Sequence, residues 1–310
     1  MVLVAAYVGG WHFLAARVQS EFDRALADLN RNGVIAQCAN REVRGFPFSI
    51  GVYCDGLTYE DDSKQTYAST GAMRSQAHVV DPMLAVIELD GPLRVQAPSL
   101  IPIWLDWDRL AGDVRFSVPM PKRVFLEGEG LAGQTDPEDE SNPEQLFNLA
   151  SLNARLAPNG ADIECTGAFK GLELASAATG GRAIPVLDGS GEAVITNGLQ
   201  TIAARENSFR GQSVDIRSLS LSSGDGGVDL SGPLSVDPEG LIDAQLKVTV
   251  RNPQALSAAL EQAIPEHAGE IRSGLGGMAM LSNEVTLPLT IARGRTMLGP
   301  IVLGDIPPLD

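Results

Sequence analysis

The side chains that could do chemistry are few and scattered. Histidine occurs three times, at His12, His78 and His267. None falls in an H-x-x-x-H or H-E-x-x-H spacing, which would set two imidazoles on one helix face for zinc. No G-x-S-x-G is present, so the strained turn that exposes a serine nucleophile is missing. Asp61-Asp62 and Asp106-x-Asp108 pair carboxylates beside turn residues, without the ligand ladder of a calcium loop, and are expected to be solvated. Gly128-Glu129-Gly130-Leu131-Ala132-Gly133 matches G-x-G-x-x-G. That pattern holds pyrophosphate only where a helix N-terminus follows it. Here an acidic, proline-containing stretch follows, so a turn is expected. Trp104 and Trp107 read as core or rim packing, with a ligand groove as the alternative. The expectation is no catalytic residue, no cofactor, no metal and no enzyme.

Three cysteines leave one useful pair. Cys38 and Cys54 flank the same strand-like segment, and a bond between them would add about 3 kcal/mol by restricting the unfolded chain. It would need an oxidising compartment; two buried free thiols are the alternative. Cys165 alternates onto the face of Ile163 and reads as a buried free thiol in the core. No C-x-x-C is present to suggest zinc or a redox motif.

The chain has 310 residues, about twice a typical domain of ~150. A hydrophobic share of 44% is enough for a packed core. Lys plus Arg is 23 and Asp plus Glu is 39, a net charge of −16. That argues against nucleic acid, which needs clustered cations, and against attraction to anionic lipid headgroups. The 33 glycines and 19 prolines favour turns over long helices.

Those turns must connect elements that the apolar pattern defines. Met1 to Ala16 carries no charged side chain. As a helix it spans roughly 24 Å, short of a hydrocarbon core of about 30 Å. The leading expectation is a signal-anchor whose first turn and basic flank lie upstream of Met1, with Trp11 and His12 near the outer membrane–water interface. A buried core helix and a cleaved signal peptide are the alternatives. Past Arg17, Val18, Phe22, Ala25 or Leu26, and Leu29 recur at steps of three and four, an amphipathic stripe ending at Asn32-Gly33. The expected organisation is an anchor and amphipathic helix over 1–32, a first β-rich half over 33–134, an acidic loop over 135–145 and a second β-rich half over 146–310.

After Gly33 the period changes to two. Phe46, Phe48, Ile50, Val52 and Cys54 alternate, with Pro47 marking an edge or a strand start. Leu93, Val95 and Ala97, then Val114, Phe116 and Val118, alternate likewise. Ile242, Ala244, Leu246, Val248 and Val250 form the cleanest amphipathic strand, and Val285, Leu287, Leu289 and Ile291 another. Asn252 to Gly277 reads as a helix over 253–275, broken or kinked at Pro265. Ala154-x-Leu156 to Gly167 matches Leu219-x-Leu221 to Gly232 in order and spacing, two copies of strand, turn, strand. The fold expected is mainly β: a long curved antiparallel sheet built of hairpins, with one N-terminal and one C-terminal helical segment. Phe46, Phe48, Ile50 and Val52, with Leu246, Val248, Leu287 and Leu289, are expected to line an apolar groove; complete closure by the helices is the alternative.

The apolar start with Trp11, then Cys38-x-Asn40-Arg41-Glu42-Val43-Arg44-Gly45-Phe46-Pro47-Phe48 and Val52-Tyr53-Cys54, resembles the uncharacterised alphaproteobacterial domain-of-unknown-function family number 2125. The resemblance covers nearly the whole chain. It implies an inner-membrane anchor and a domain facing the periplasm, with no known activity. Leu219-Ser220-Leu221, Leu230-Ser231-Gly232 and Gly240 to Leu246 are similar, more loosely, to hairpin units of AsmA-type and lipopolysaccharide-transport proteins. Those form curved sheets with an apolar trough for lipid chains. The leading expectation is thus an inner-membrane-anchored periplasmic protein that shields or passes lipid. A closed structural or interaction domain comes second and an enzyme third.

Overall fold

The structure, a computed structural model, describes residues 1–31, 33–98, 100–117, 120–136, 142–204 and 209–309. It is mainly β, and every described strand pairing is antiparallel. Two compact units, Met1–Ser151 and Leu152–Asp310, divide the chain. Val118 and residues 137–141 of the acidic stretch lie outside the described residues.

The first unit opens with helix α1 (Val2–Leu29). Five long strands follow, each interrupted once: β1 (Val34–Ala39) with β2 (Glu42–Arg44), β3 (Ser49–Cys54) with β4 (Gly56–Asp61), β5 (Thr66–Thr70) with β6 (Met73–His78), β7 (Asp81–Leu89) with β8 (Leu93–Ala97), and β9 (Leu100–Asp106) with β10 (Arg109–Arg115). The sixth, β11 (Arg123–Thr135), is continuous. Each pairs with the next in the chain. The register passes unchanged through most interruptions: Val34 faces Asp61 and Arg44 faces Gly51, while Asp61 faces Thr66 and Ser49 faces His78. The interruptions are therefore bends within a meander. Asp55 N–H donating to Ala39 O at 2.9 Å and Asp108 N–H donating to Glu129 O at 3.0 Å carry the ladder across two of them.

Gly130 makes the bend in β11, where the strand leaves β10 for β9. Its φ is +61°, and a Cβ there would lie 2.1 Å from an Asp108 carboxylate oxygen, so only glycine fits. The G-x-G-x-x-G stretch is thus a mid-strand bend, not the turn between elements that its spacing suggested.

Helix α1 is fastened to this unit along its length. Trp11 is buried; its Nε1 donates to Ser49 O at 2.8 Å, and its ring meets Phe46 edge-on at 5.4 Å. Asn30 Nδ2 donates to Ala36 O at 3.0 Å. Arg41 pairs with Asp23 and lies 5.7 Å over the Phe22 ring. Cys38 and Cys54 are bonded, their Cα atoms 5.3 Å apart. One expectation changes here: the helix ends at Leu29, and residue 32 lies outside the described residues. Trp11 packs within the unit. No helix among the described residues is long and apolar enough to cross a membrane, in line with the short span of the uncharged run.

The strand expected from Phe46 begins later. The Phe46–Pro47 peptide is cis and residues 46–48 form a turn, closed by Ser49 N–H donating to Gly45 O at 2.9 Å. Ile50 and Val52 are buried in β3, whereas Phe46 and Phe48 project from the turn into solvent.

Strand β12 (Gln145–Asn159) contains the division between the units. In the second unit come β13 (Asp162–Leu174), β14 (Leu187–Thr196), helix α2 (Gly198–Ala204), β15 (Ser213–Ser223), β16 (Gly226–Val236), β17 (Ile242–Arg251), α3 (Pro253–Ala263), α4 (Ala268–Leu281), β18 (Glu284–Ala292), β19 (Arg295–Leu298) and β20 (Ile301–Asp305). From β13 to β20 each strand pairs with its successor. Both repeat copies are strand, short turn, strand: β12 and β13 around Gly160, β15 and β16 around Gly224. Asn252 caps α3 by accepting Ala255 N–H at 3.2 Å, with Pro253 in the first turn. The expected helix 253–275 is two helices separated by a short 3-10 turn at Pro265–His267, and the second runs to Leu281.

Two predictions follow from the first unit. With the chain unreduced and unfolded, thiol labelling should find one reactive cysteine, Cys165, and Cys38→Ser/Cys54→Ser should lower stability by about 3 kcal/mol in urea. Arg94 in β8 donates to the fully buried carboxylate of Asp136, whose N–H donates to Pro102 O at 3.0 Å. Arg94→Met removes this buried ion pair and should lower stability by up to about 3–5 kcal/mol, while Arg94→Met with Asp136→Leu should recover much of the loss.

Candidate functional site

Residues facing one another across an antiparallel sheet share a face, and the second unit's pairing sorts its side chains cleanly. Ile163, Ile195, Val214, Leu234, Ala244 and Ile291 form one row across β13 to β18. Leu219, Leu230, Val248 and Leu287 form another, and Leu221, Val228, Val250 and Val285 a third. Leu246 faces Leu289 between them. Leu219 also leans over Gly191, as the Phe169 ring leans over Gly189, so large side chains fill the gaps left by neighbouring glycines.

The reverse face is polar. Arg217 donates to Glu192 at 2.6 Å and to Glu164 at 3.4 Å. Arg251 donates to Asp229 at 2.5 Å, and the Thr249 and Thr286 hydroxyls are 2.9 Å apart.

Coverage of the apolar face is uneven. At one end Ala244, Leu246 and Ile291 form a buried cluster against which Ile306 of the C-terminal tail packs. Gly198 of α2 lies against Ile163 and Ile195. At the other end the α3 backbone at Leu256 crosses so close to Gly226 that a Cβ there would sit 2.5 Å away, and Val250 is buried. Leu219 and Leu221 on β15 keep 49% and 47% of their surface in solvent, although Leu221 shares its row with buried Val250. Among the described residues the face is therefore open along β15 and closed over Ala244, Leu246, Val250 and Ile291.

The eight expected groove residues fall in two sets. Leu246, Val248, Leu287 and Leu289 do share this face, although Leu246 sits in its closed part. Phe46, Phe48, Ile50 and Val52 belong to the first unit, the first two on a turn and the last two in its core. The grouping missed Leu219 and Leu221, whose signal was the apolar-serine-apolar alternation within the repeat; the cover over Leu246 has no local signal at all.

The first unit holds an apolar cavity of about 320 Å³ beneath α1. Phe22, Ala25, Leu26 and Leu29 roof it, over Ala36, Leu57, Ala68 and Leu93. The other chemical candidates are separate from it. Trp107 Nε1 donates to Leu89 O at 2.7 Å, and Trp104 lies in the β8–β9–β11 ladder. His267 is exposed beside Glu270 at 3.2 Å, and His12 stacks on Phe46. Asp61 accepts the Ser63 hydroxyl at 2.6 Å in its turn. Asp106 accepts Trp107 N–H at 2.9 Å. Among the described residues no three His, Cys, Asp or Glu side chains cluster as metal ligands would. Cys165 is half-buried, less than expected, and burial pushes its thiol pKa up.

Near Trp107, Arg74 grips Asp90 with two hydrogen bonds, one of 2.6 Å, which hold that carboxyl below the usual carboxylate range. A carboxyl depressed on folding stabilises above its unfolded pKa of about 3.9, and that contribution is lost as pH falls through the lower folded value. Urea midpoints measured from pH 6 down to 2 should therefore show a shallower acid decline in Asp90→Asn. Both groups are nearly half-exposed, so the difference should be small.

A comparison with curated proteins finds no match. Residues 11–307 match the model of a family described as "Uncharacterized protein conserved in bacteria (DUF2125)", and the chain belongs to this bacterial family.

Proposed function

We propose that the second unit binds the acyl chain of a lipid against the part of its sheet left open along β15, as part of an envelope-maintenance role. The observation that carries this reading is the pair Leu219 and Leu221, half in solvent on a continuous apolar face. Isolated exposed apolar residues are ordinary, but a contiguous apolar surface is a usual mark of binding. The polar reverse face supports a one-sided role, because it leaves a single surface for an apolar ligand.

The setting we propose is the periplasm, close to the inner membrane. The Cys38–Cys54 bond supports an oxidising compartment, and the uncharged stretch Met1 to Ala16 supports proximity to lipid. A structural domain without ligand is the second reading, favoured by the burial of Ala244, Leu246 and Ile291.

Mass spectrometry of lipid extracted from the purified full chain tests the choice. The parent should carry lipid, and Leu219→Asp/Leu221→Asp should lose most of it with an unchanged thermal midpoint, because both side chains already meet water. Leu246→Asp should instead unfold the unit, since an unpaired buried carboxylate costs several kcal/mol. A parent free of lipid, or a Leu219→Asp/Leu221→Asp variant that keeps its lipid, would overturn the proposal.

A further inference from the structure

In a meander, alternate turns emerge at the same end of the sheet. In the first unit, residues 45–48, 79–80 and the stretch after β10 therefore share one end. Val79 N–H donates to Phe48 O at 3.0 Å, tying the first two turns, and Phe116 N–H donates to Met83 O at 2.7 Å beside the third. The tips are apolar and wet: Phe48 is 76% and Val80 95% exposed, with Met83 and Phe116 about half so.

Helix α1 leads to the same end. Its Tyr7 hydroxyl donates to Pro47 O and its Trp11 to Ser49 O, so the six residues before Tyr7 reach about 9 Å further along the helix axis. Met1 to Val4 are exposed, as is Phe13, and nothing from Met1 to Ala16 is charged. Of the charges that flank the tips, Asp81 pairs with Arg115 at 2.9 Å and Glu42 with Arg44 at 2.6 Å, and Lys122 adds a cation. At the opposite end the turn at residues 62–65 is polar, with Asp61 binding Ser63 and Lys64; Leu100 and Ile101, at the start of β9, are exposed at that end but have no uncharged helix beside them.

From this asymmetry we infer that the first unit seats this end on a lipid bilayer, with the Phe48 and Val80 turns dipping into the interface beside the α1 N-terminus. Aromatic and aliphatic tips next to an uncharged helix suit the headgroup–acyl boundary. A net charge of −16 makes a zwitterionic surface the fitting partner, since anionic lipid would repel the chain. This surface is separate from the acyl-chain site proposed on the second unit and does not depend on it.

Flotation of the full chain with phosphatidylcholine vesicles provides the test. The parent should float, and adding anionic lipid should weaken binding. Phe48→Asp/Val80→Asp should reduce binding about tenfold or more with an unchanged thermal midpoint, while Leu219→Asp/Leu221→Asp should float like the parent. In a second measurement, brominated acyl chains should quench tryptophan in Phe48→Trp and Val80→Trp beyond the parent signal, but not in Lys64→Trp. A parent that stays in solution, a Phe48→Asp/Val80→Asp variant that floats unchanged, or equal quenching at Lys64→Trp would overturn the inference.

Discussion

An antiparallel sheet with alternating side chains has one face that water solvates poorly, and something must cover it. This chain has little helix with which to do so, and the covering of that face decides what each unit can do. In the first unit a single helix supplies the cover. Its Phe22, Ala25, Leu26 and Leu29 stripe lies over β1, β4 and β5, and the Trp11–Ser49 bond, the Asn30–Ala36 bond and the Arg41–Asp23 pair hold it there. In the second unit, among the described residues, α2, α3 and the tail cover other parts of the face and leave β15 half-open.

The bends solve a related problem. A strand long enough to build a wide sheet accumulates twist, and bends at fixed positions turn it without breaking the ladder. Val34↔Asp61 and Arg44↔Gly51 stay in register, yet the apolar parity changes at the bend, from Ile50, Val52 and Cys54 before it to Leu57 and Tyr59, under α1, after it. The Cys38–Cys54 bond spans the bend shared by the first two strands, beside the Asp55 N–H to Ala39 O bond that carries the ladder across it.

Much of this was legible in the residues because period-two alternation reports directly on sheet faces. Ile242 to Val250 and Val285 to Ile291 formed strands as read, the Pro265 break appeared where the missing N–H required it, and the two matching segments both folded as strand, turn, strand. The failures share one cause: alternation describes a face but not its neighbours. Phe46 and Phe48 continued the rhythm of Ile50 and Val52, yet Pro47 put them on a turn. Leu246 was read as groove lining, yet it is buried in a cluster against which Ile306, sixty residues further along, packs, while Leu219, not grouped with it, is the one left half-exposed. The spacing of Gly128 to Gly133 said nothing of Asp108, whose carboxylate fixes the need for glycine at 130. The apolar start showed its lack of charge but not that Trp11 would be committed to Ser49 O.

Open apolar surface carries a hazard as well as a use. Besides the β15 leucines, β20 exposes Ile301, Val302 and Leu303 and, among the described residues, pairs only with β19. Such an edge is a template for pairing with another copy. Edge pairing and face-to-face stacking are short-ranged, whereas like-charge repulsion acts across a Debye length of about 8 Å at physiological salt. With 39 acidic against 23 basic residues, two copies repel before either apolar contact can form. An uncharged alkyl chain or a zwitterionic surface meets no such barrier. The acid excess therefore discriminates among partners for the same exposed leucines: it disfavours a second copy of this chain and leaves the apolar surface available to neutral lipid.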